Sequence, residues 1–590
     1  MATTEWPSSR TIPRREFIRG SVAVFTGVSA FASSPAPRSK QKVAPDTDYS
    51  TVIQKIEQTL PVAMLQRNIT GAAIALVDGD TVVWSRGFGY TNRTQNEKVT
   101  GETLFHVGSI SKSFTALGIL QSVGKGLLTL DDPVKQHLPW FSVNSHFGAA
   151  ATDRITIRHL LSHHSGLGTW SPLGNPSDPQ YHTRTFEQVV KSTRDSWLKF
   201  PAGERFEYSN QGINLAGYVL EVTSGRPFAD LMREELLAPM GMTVSTFHQE
   251  KVTQTAACAV GYLGRRPVPV VNGIVMPLIA AGGLFASAND LARFIVFHLQ
   301  GNAGLGKQLV PQTLLHEMYA PQFTAANQGS GYGLGIYKAI QHDTVRLSHG
   351  GLGYGISAHY RFLPAHKIGV VLLTNQDTAH NAPDLAGRVI ELMLDAKLGT
   401  LPQNRPLTPA AKPIGSFDES ALRRFEGTYL LYEGVLFRFK YEKGNLFHLA
   451  GKDKLKLEPD SAYEFTQGSR RYKFLLSENG QPKGVLIFDP YYDPQTAENS
   501  AIYLPLNDTP GAAPGPNKSA WRRHTGKYAG TFIGGSSEVK VSLENGYLYL
   551  NDELRLAESS PEFFIAADGE AVIFADERLS AGNKLYAKKG

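Results

Sequence analysis

The spacing of apolar positions changes along the chain, and those changes divide it into segments of different predicted structure. Residues 49–67 read as an amphipathic helix. Two alternating apolar segments, 72–77 and 81–84, read as strands, with Asp78-Gly79-Asp80 between them as a hairpin signal. From Ser109 onward Ile110, Phe114, Leu117 and Val123 recur at helical spacing, until Gly124 and Gly126 punctuate the end. A turn at Leu130-Asp131-Asp132-Pro133-Val134 leads into a short helix, and a long Gly/Pro/aromatic loop opens at Arg158 and runs to Tyr181. The helical pattern resumes over 186–199 and 211–224. Residues 280–287 end a strand and enter another helix, with Ser287 and Asp290 as a capping pair. Four strand patterns, 331–337, 344–347, 357–363 and 368–373, precede a last helix at 382–398. Strands at both ends with helices between them predict one sheet built from both termini and covered by a helical region.

Residues 401–417 carry four prolines and read as a linker. Beyond them the period changes to two, at 436–441, 446–449, 455–457, 472–476 and 485–488. A second Pro/Gly-rich linker at 507–517 is followed by strand patterns at 539–543, 547–550, 563–566 and 571–574. The two stretches are related: Arg423-Arg424-Phe425-Glu426-Gly427-Thr428-Tyr429 matches Arg522-Arg523-His524-Thr525-Gly526-Lys527-Tyr528. This predicts a tandem pair of small antiparallel β-barrels, whose interiors at this size are expected to be filled by side chains rather than by a ligand.

Composition narrows the class. A chain of 590 residues is too long for one ordinary domain. A formal charge of +6 is small for this length and no Lys/Arg run stands out, so neither a nucleic-acid nor a membrane partner is indicated. Cys258 is the only cysteine, which excludes an internal disulfide and a cysteine-based zinc site. Near the N-terminus Arg14-Arg15-Glu16-Phe17-Ile18 precedes a mildly apolar run from Ser21 to Ser33, with Ala30-Phe31-Ala32 as a small-residue cleavage site. This resembles a twin-arginine export leader, with Pro13 where that pattern usually has Ser or Thr. An exported protein, periplasmic or extracellular, is the expectation. No apolar run reaches the roughly 18 residues of a membrane span.

The candidate chemistry lies at Ser109 and Lys112. Three residues apart on a helix they share a face, so the amine can reach the hydroxyl. A serine is a poor nucleophile until a neighbouring base takes its proton, and burial at a helix start disfavours the ammonium form of that base. The same spacing recurs at Ser39/Lys42, Ser122/Lys125, Ser196/Lys199 and Ser537/Lys540, so one pair is not distinctive. The ordered set is: Ser109-x-x-Lys112, then Tyr208-x-Asn210 at a loop entering a helix, then His349-x-Gly351 after a strand. His163 and His164 stand side by side, but adjacent residues diverge and no Asp or Glu at ligand spacing accompanies them, so both read as structural and no metal is called.

With Asp131-Asp132-Pro133, Leu161-Ser162-His163-His164-Ser165-Gly166-Leu167 and Ala281-Gly282-Gly283-Leu284 in the same order, the sequence resembles the serine β-lactamase and penicillin-binding family, in particular its class C-like branch. The resemblance implies an α/β (α+β) β-lactamase/transpeptidase-like catalytic domain, followed here by two small all-β, lipocalin-like barrels. It implies Ser109 as the acylated nucleophile, Lys112 as its base or proton carrier, and Tyr208 as the proton relay to the leaving group. Asn210 would bind a substrate amide. The N–H groups of Ser109 and Leu352 would form the oxyanion hole, on a backbone that also includes Gly350 and Gly351. No cofactor is implied. True β-lactamases of the family carry a lysine where His349 stands, and a histidine neutral above pH 6.5 or so gives up its role in binding a substrate carboxylate. That departure, with the paired C-terminal barrels, is similar to the D-aminopeptidases and esterases of the family. The expected limits are a leader at 1–32, linkers at 33–46, 401–417 and 507–519, a catalytic domain at 47–400, and barrels at 418–506 and 520–590. The expected activity is an exported serine hydrolase acting on small peptides, with D-residues among the candidates. A carboxylesterase, a β-lactamase, a peptide-cyclising acyltransferase and a non-catalytic penicillin-binding sensor are the alternatives.

Overall fold

A computed structural model of the chain describes residues 47–399, 422–488, 504–505 and 519–588, each long stretch with short interior breaks, of which the longest is 268–276. The predicted leader, the whole 33–46 segment and both later linkers lie outside the described residues, apart from the 519 end of the last.

Residues 47–399 are organised by one antiparallel sheet. Its strands are β1 (Gly71–Asp78), β2 (Thr81–Gly89), β3 (Gly331–Tyr332), β4 (Tyr337–Gln341), β5 (Thr344–Gly353), β6 (Ile356–Leu363) and β7 (Ile368–Thr374), in the spatial order β2-β1-β7-β6-β5-β4-β3. The first strand of this region pairs with its last, Ala72 opposite Thr374 and Ile74 opposite Leu372, so the sheet is built from both ends of the region as the pattern predicts. Successive strand residues point to opposite faces. Ile74, Leu76, Val370 and Leu372 pack on one face under helix α1 (Ser50–Gln66), which buries Val52, Ile56, Leu60 and Met64. The C-terminal helix of this region, Asn381–Leu398, adds Ala386, Ile390 and Met393 to the same layer. Asp78 joins this layer to the hairpin turn, accepting 2.8 Å from the Tyr49 hydroxyl and pairing with Lys397.

Ala73, Ala75, Val371, Leu373, Tyr360 and Phe362 fill the opposite face together with the helical region. Helix α2 (Ser111–Gly124) runs through the middle of that region and is buried on all sides over residues 111–121. Phe114 on α2 meets Phe294 at 4.5 Å between ring centroids, and Phe294 meets Tyr360 of β6 at 5.2 Å. The Ser113 hydroxyl lies 2.7 Å from that of Tyr360 and donates to the Gly335 carbonyl at 2.6 Å, which fixes the helix to the sheet.

The pattern misplaces four details. The segment predicted as one helix over 186–199 is α-helical only over Phe186–Lys191. After a short 3-10 turn its end is extended, because Leu198 bridges Leu167 and the Lys199 N–H bonds the Gly166 carbonyl at 2.8 Å. Ser287 does cap helix α4 (Ala288–Leu299; α3 is Asn210–Ser224), its hydroxyl accepting from the Asp290 N–H at 3.1 Å. The Asp290 carboxylate instead binds Val244 and Ser245. The strand predicted over 331–337 is broken by a turn at 333–336. His349 lies inside β5, not after it.

The two C-terminal modules share a core. In the first, the Tyr429 hydroxyl donates to the Phe425 carbonyl, Phe425 stacks on Phe474 at 4.3 Å, and Phe465 meets Phe474 edge-on. In the second, the Tyr528 hydroxyl donates to the His524 carbonyl, His524 stacks on Phe574 at 4.2 Å, and Phe564 meets Phe574 edge-on. The repeat read from the flanking sequence therefore extends to the interior side chains. Closure differs between them. The second module is a closed eight-stranded barrel, whereas the described strands of the first form a five-stranded and a four-stranded sheet around one core. The chain passes from one sheet to the other at Leu457, whose N–H bonds the Leu446 carbonyl at 2.9 Å.

Phe294→Ala removes the ring between α2 and the sheet and is expected to destabilise the protein by about 3–5 kcal/mol. A urea titration measures it, and a loss below about 1 kcal/mol would show that α2 does not depend on this contact.

Candidate active site

Strand Phe105–His106 pairs with Phe285–Ala286 and delivers the chain to Gly108, which stands at φ +51 and turns it into a 3-10 turn, Gly108–Ile110, continuous with α2. Ser109 lies in that turn and Lys112 in the first turn of α2. The Ser111 hydroxyl ties the turn down, donating to the Gly108 carbonyl at 2.6 Å and accepting the Leu284 N–H at 3.0 Å. Lys112 Nζ lies 2.8 Å from Ser109 Oγ and donates to the Ala281 carbonyl at 2.7 Å. Ala281 is held in turn by Asn214 of α3, whose side-chain oxygen accepts its N–H at 3.0 Å. Lys112 is fully buried and makes no ion pair among the described residues; burial alone holds its amine well below the ordinary lysine range.

Tyr208 reaches this pair from the N-terminus of α3. Nζ of Lys112 lies 4.9 Å from the centre of its ring. Ser209 caps α3, accepting the Gly212 N–H at 3.0 Å and donating to the Gly168 carbonyl at 2.8 Å. Asn210 opens the helix, its N–H bonded to the Thr169 carbonyl at 3.0 Å. His163 packs against the Tyr208 ring, centroids 4.3 Å apart. His163 packs on Tyr332 at 4.7 Å, and the Tyr332 hydroxyl lies 2.9 Å from His349 Nε2.

His349 is 2 % exposed, enclosed by Tyr332 and Tyr337. Its pKa is not near 6.5: burial, then the nearby Lys112, lower it to about 3, so the ring is neutral at any pH at which the protein would work. The expectation of a pH-dependent charge at this position is thereby corrected; desolvation outweighs the ordinary imidazole basicity.

The segment from His349 to Gly353 is paired on one side only. Strand β4 accompanies β5 as far as Ser348, opposite Tyr337, while β6 pairs the whole of it. The free edge faces the Ser109 turn. A Cβ on Gly351 would lie 1.8 Å from the Val107 carbonyl and 3.1 Å from the Ser109 nitrogen. A Cβ on Gly108 would lie 3.0 Å from the Leu352 nitrogen. These two glycines permit the approach of the two backbones, and Leu352 itself is 45 % exposed at the rim.

Ser109, Lys112, Tyr208 and the 349–352 segment, residues the sequence set apart, thus stand together. His163, read from the sequence as structural, belongs to the same cluster, as does Tyr332. The signal for both is that they neighbour motif residues, which spacing alone does not reveal. Among the other Ser-x-x-Lys pairs, Ser196/Lys199 is separated by function: the serine hydroxyl donates to Gln211 while the lysine pairs with Glu207 at 3.0 Å.

An antiparallel sheet built from both termini, a covering helical layer and a Ser-x-x-Lys pair at the start of the central helix define the β-lactamase/transpeptidase-like class. The chain belongs to the Beta-lactamase family, whose family model matches residues 50–393. It is 24% identical over 455 residues to penicillin-binding protein 4* of Bacillus subtilis, a match covering 73% of this chain and 96% of that protein. It is 26% identical to protein flp of Staphylococcus aureus over 329 residues, 55% of this chain and 64% of that protein. Among solved structures it is similar to the octameric penicillin-binding protein homologue from Pyrococcus abyssi, with 25% identity, a TM-score of 0.53, and 74% and 97% of the two chains covered.

Gly351→Ala is expected to stop labelling of Ser109 by a fluorophosphonate probe, because the added carbon must push β5 away from the Ser109 turn. Unchanged labelling, read by intact mass, would show that this approach is not needed.

Proposed function

We propose that this chain is an exported serine hydrolase that cleaves amide bonds of small peptides, D-amino-acid peptides among them, through an acyl-Ser109 intermediate. The observation that carries the reading is the contact of 2.8 Å between Ser109 Oγ and the buried amine of Lys112, which has no ion pair among the described residues. A neutral amine has a lone pair, so the Ser109 O–H donates to Nζ as Oγ attacks the substrate carbonyl. The new C–O bond places negative charge on the carbonyl oxygen, where the N–H groups of Ser109 and Leu352 would receive it; such a donor is typically worth about 3 kcal/mol of barrier. Tyr208, beside Nζ, passes the proton to the leaving amine as the C–N bond breaks. Water then takes the place of the amine and the steps run in reverse, releasing the acid and restoring the Ser109 hydroxyl.

His349 bears on the substrate. A neutral buried imidazole offers no cation for a carboxylate, which favours peptides and esters without a free carboxylate at that end over carboxypeptidase or β-lactam substrates. The unpaired edge of residues 349–353 can bind an extended backbone segment beside Ser109. Asn210 would take a substrate amide. The double arginine at Arg14-Arg15 supports export. The two C-terminal modules, with their aromatic interiors, support a tandem barrel pair like that of the D-aminopeptidases, for which we propose limits of 418–506 and 520–590.

Ser109→Ala is expected to lower turnover of p-nitrophenyl esters and of D-alanine p-nitroanilide by at least about 1,000-fold, and Lys112→Arg by a similar factor, because a guanidinium is never neutral at working pH. Wild-type activity in Ser109→Ala would remove the nucleophile from the account. Nitrocefin in the same panel separates a β-lactamase, and absence of turnover with every substrate would leave the binding-protein alternative.

A further inference from the structure

His163 holds the backbone on both sides of Tyr208. Its carbonyl accepts the Glu207 N–H at 2.7 Å, and its ring Nδ1 accepts the Ser209 N–H at 3.1 Å. Its ring covers the Tyr208 ring at 4.3 Å. The residue is fully buried and stands at φ +64, a left-handed conformation uncommon outside glycine. Because Nδ1 is an acceptor, a neutral ring carries its proton on Nε2. Burial, with Lys112 and His349 close by, keeps the ring neutral by holding its pKa far below the ordinary imidazole range. Nε2 is itself buried and has no hydrogen-bond partner among the described residues. A phenyl ring would fill this space without stranding a donor, so what the imidazole supplies is the Nδ1 acceptor. A second clamp acts on the same loop: Glu207 pairs with Lys199 at 3.0 Å, both side chains buried, and the Lys199 N–H bonds the Gly166 carbonyl at 2.8 Å.

We propose that His163 is a positioning residue for Tyr208, fixing the backbone at residues 207 and 209 so that the phenol meets the Ser109/Lys112 pair. This rests on the acyl-serine reading given above. The residue acts through Tyr208 and touches neither substrate nor the reacting atoms.

The test is hydrolysis of p-nitrophenyl acetate by the full chain, with Tm recorded, for His163→Phe, His163→Asn, Tyr208→Phe and the double variant His163→Phe/Tyr208→Phe. Phenylalanine keeps the ring and loses the acceptor. Asparagine keeps an acceptor near the Nδ1 position and tolerates positive φ. The expected result is a fall in kcat of about 100-fold for His163→Phe with KM changed by less than about twofold. Asparagine restores most of the loss, and His163→Phe adds little once Tyr208 is phenylalanine. Wild-type kcat in folded His163→Phe overturns the proposal. So do effects of the two positions that multiply, or an asparagine variant as impaired as phenylalanine at unchanged Tm. Should His163→Phe not fold, His163→Leu, nearly isosteric with asparagine, takes its place in the cycle. Ser109→Ala in the same assay separates the two levels: full activity there removes the acyl-serine reading, whereas an inactive Ser109→Ala with multiplying His163 and Tyr208 effects removes only this one.

Discussion

The arrangement depends on one burial. A lysine side chain enclosed without a carboxylate partner cannot easily keep its proton, since the medium around it does not solvate the ammonium form. Lys112 is in that condition, and what surrounds it follows from keeping it so. Helix α2 is enclosed on all sides, which ordinary amphipathic helices are not. Its polar residues face polar groups placed for them: Ser111 on Gly108 and Leu284, Ser113 on Gly335 and Tyr360, Thr115 on Ala280. Even the amine's spare donor is used, on a carbonyl that Asn214 holds in place. The histidines nearest to it, His163 and His349, are buried enough to be neutral, so no second positive charge competes for the same space.

Much of the fold was legible from period alone. Short apolar runs at 72–77 and 368–373 mark strands buried on both faces, which differ in the helical layer they meet, and the Asp78-Gly79-Asp80 turn sets the first hairpin. What period could not show was long-range backbone pairing. Residues 196–199 have helical composition, yet their hydrogen bonds go to Asn144 and Gly166, far off in sequence, and the helix stops short. His349 reads as the residue after a strand because glycines follow it, whereas pairing with β6 extends the strand through Gly353. The first C-terminal module has the alternation of a barrel, and its described strands form two sheets around one core; how strands close on one another is a property of ladder ends, which side-chain period does not encode.

The site divides in the same way. Ser109 and Lys112 could be paired from sequence because three residues on a helix share a face. Tyr208 and the 349–352 segment could be proposed only from the order of motifs, since contacts between segments so far apart in sequence leave no local trace. From sequence His163 reads as structural because adjacent histidines diverge. They do diverge, and that is why one of them faces Tyr208 and Tyr332 while the other packs on Phe323.

The neutral amine is what turns a helix-start serine into a nucleophile in this account, and the pH dependence of Ser109 phosphonylation reads it without a substrate assumption. The rate of adduct formation with a fluorophosphonate, followed by mass spectrometry, is predicted to rise with pH through one inflection well below the ordinary lysine value of about 10.4 and then level off. That sign follows from the reactive form being the deprotonated one. A rate that keeps climbing in proportion to hydroxide past that value, or an adduct on another serine, would contradict it.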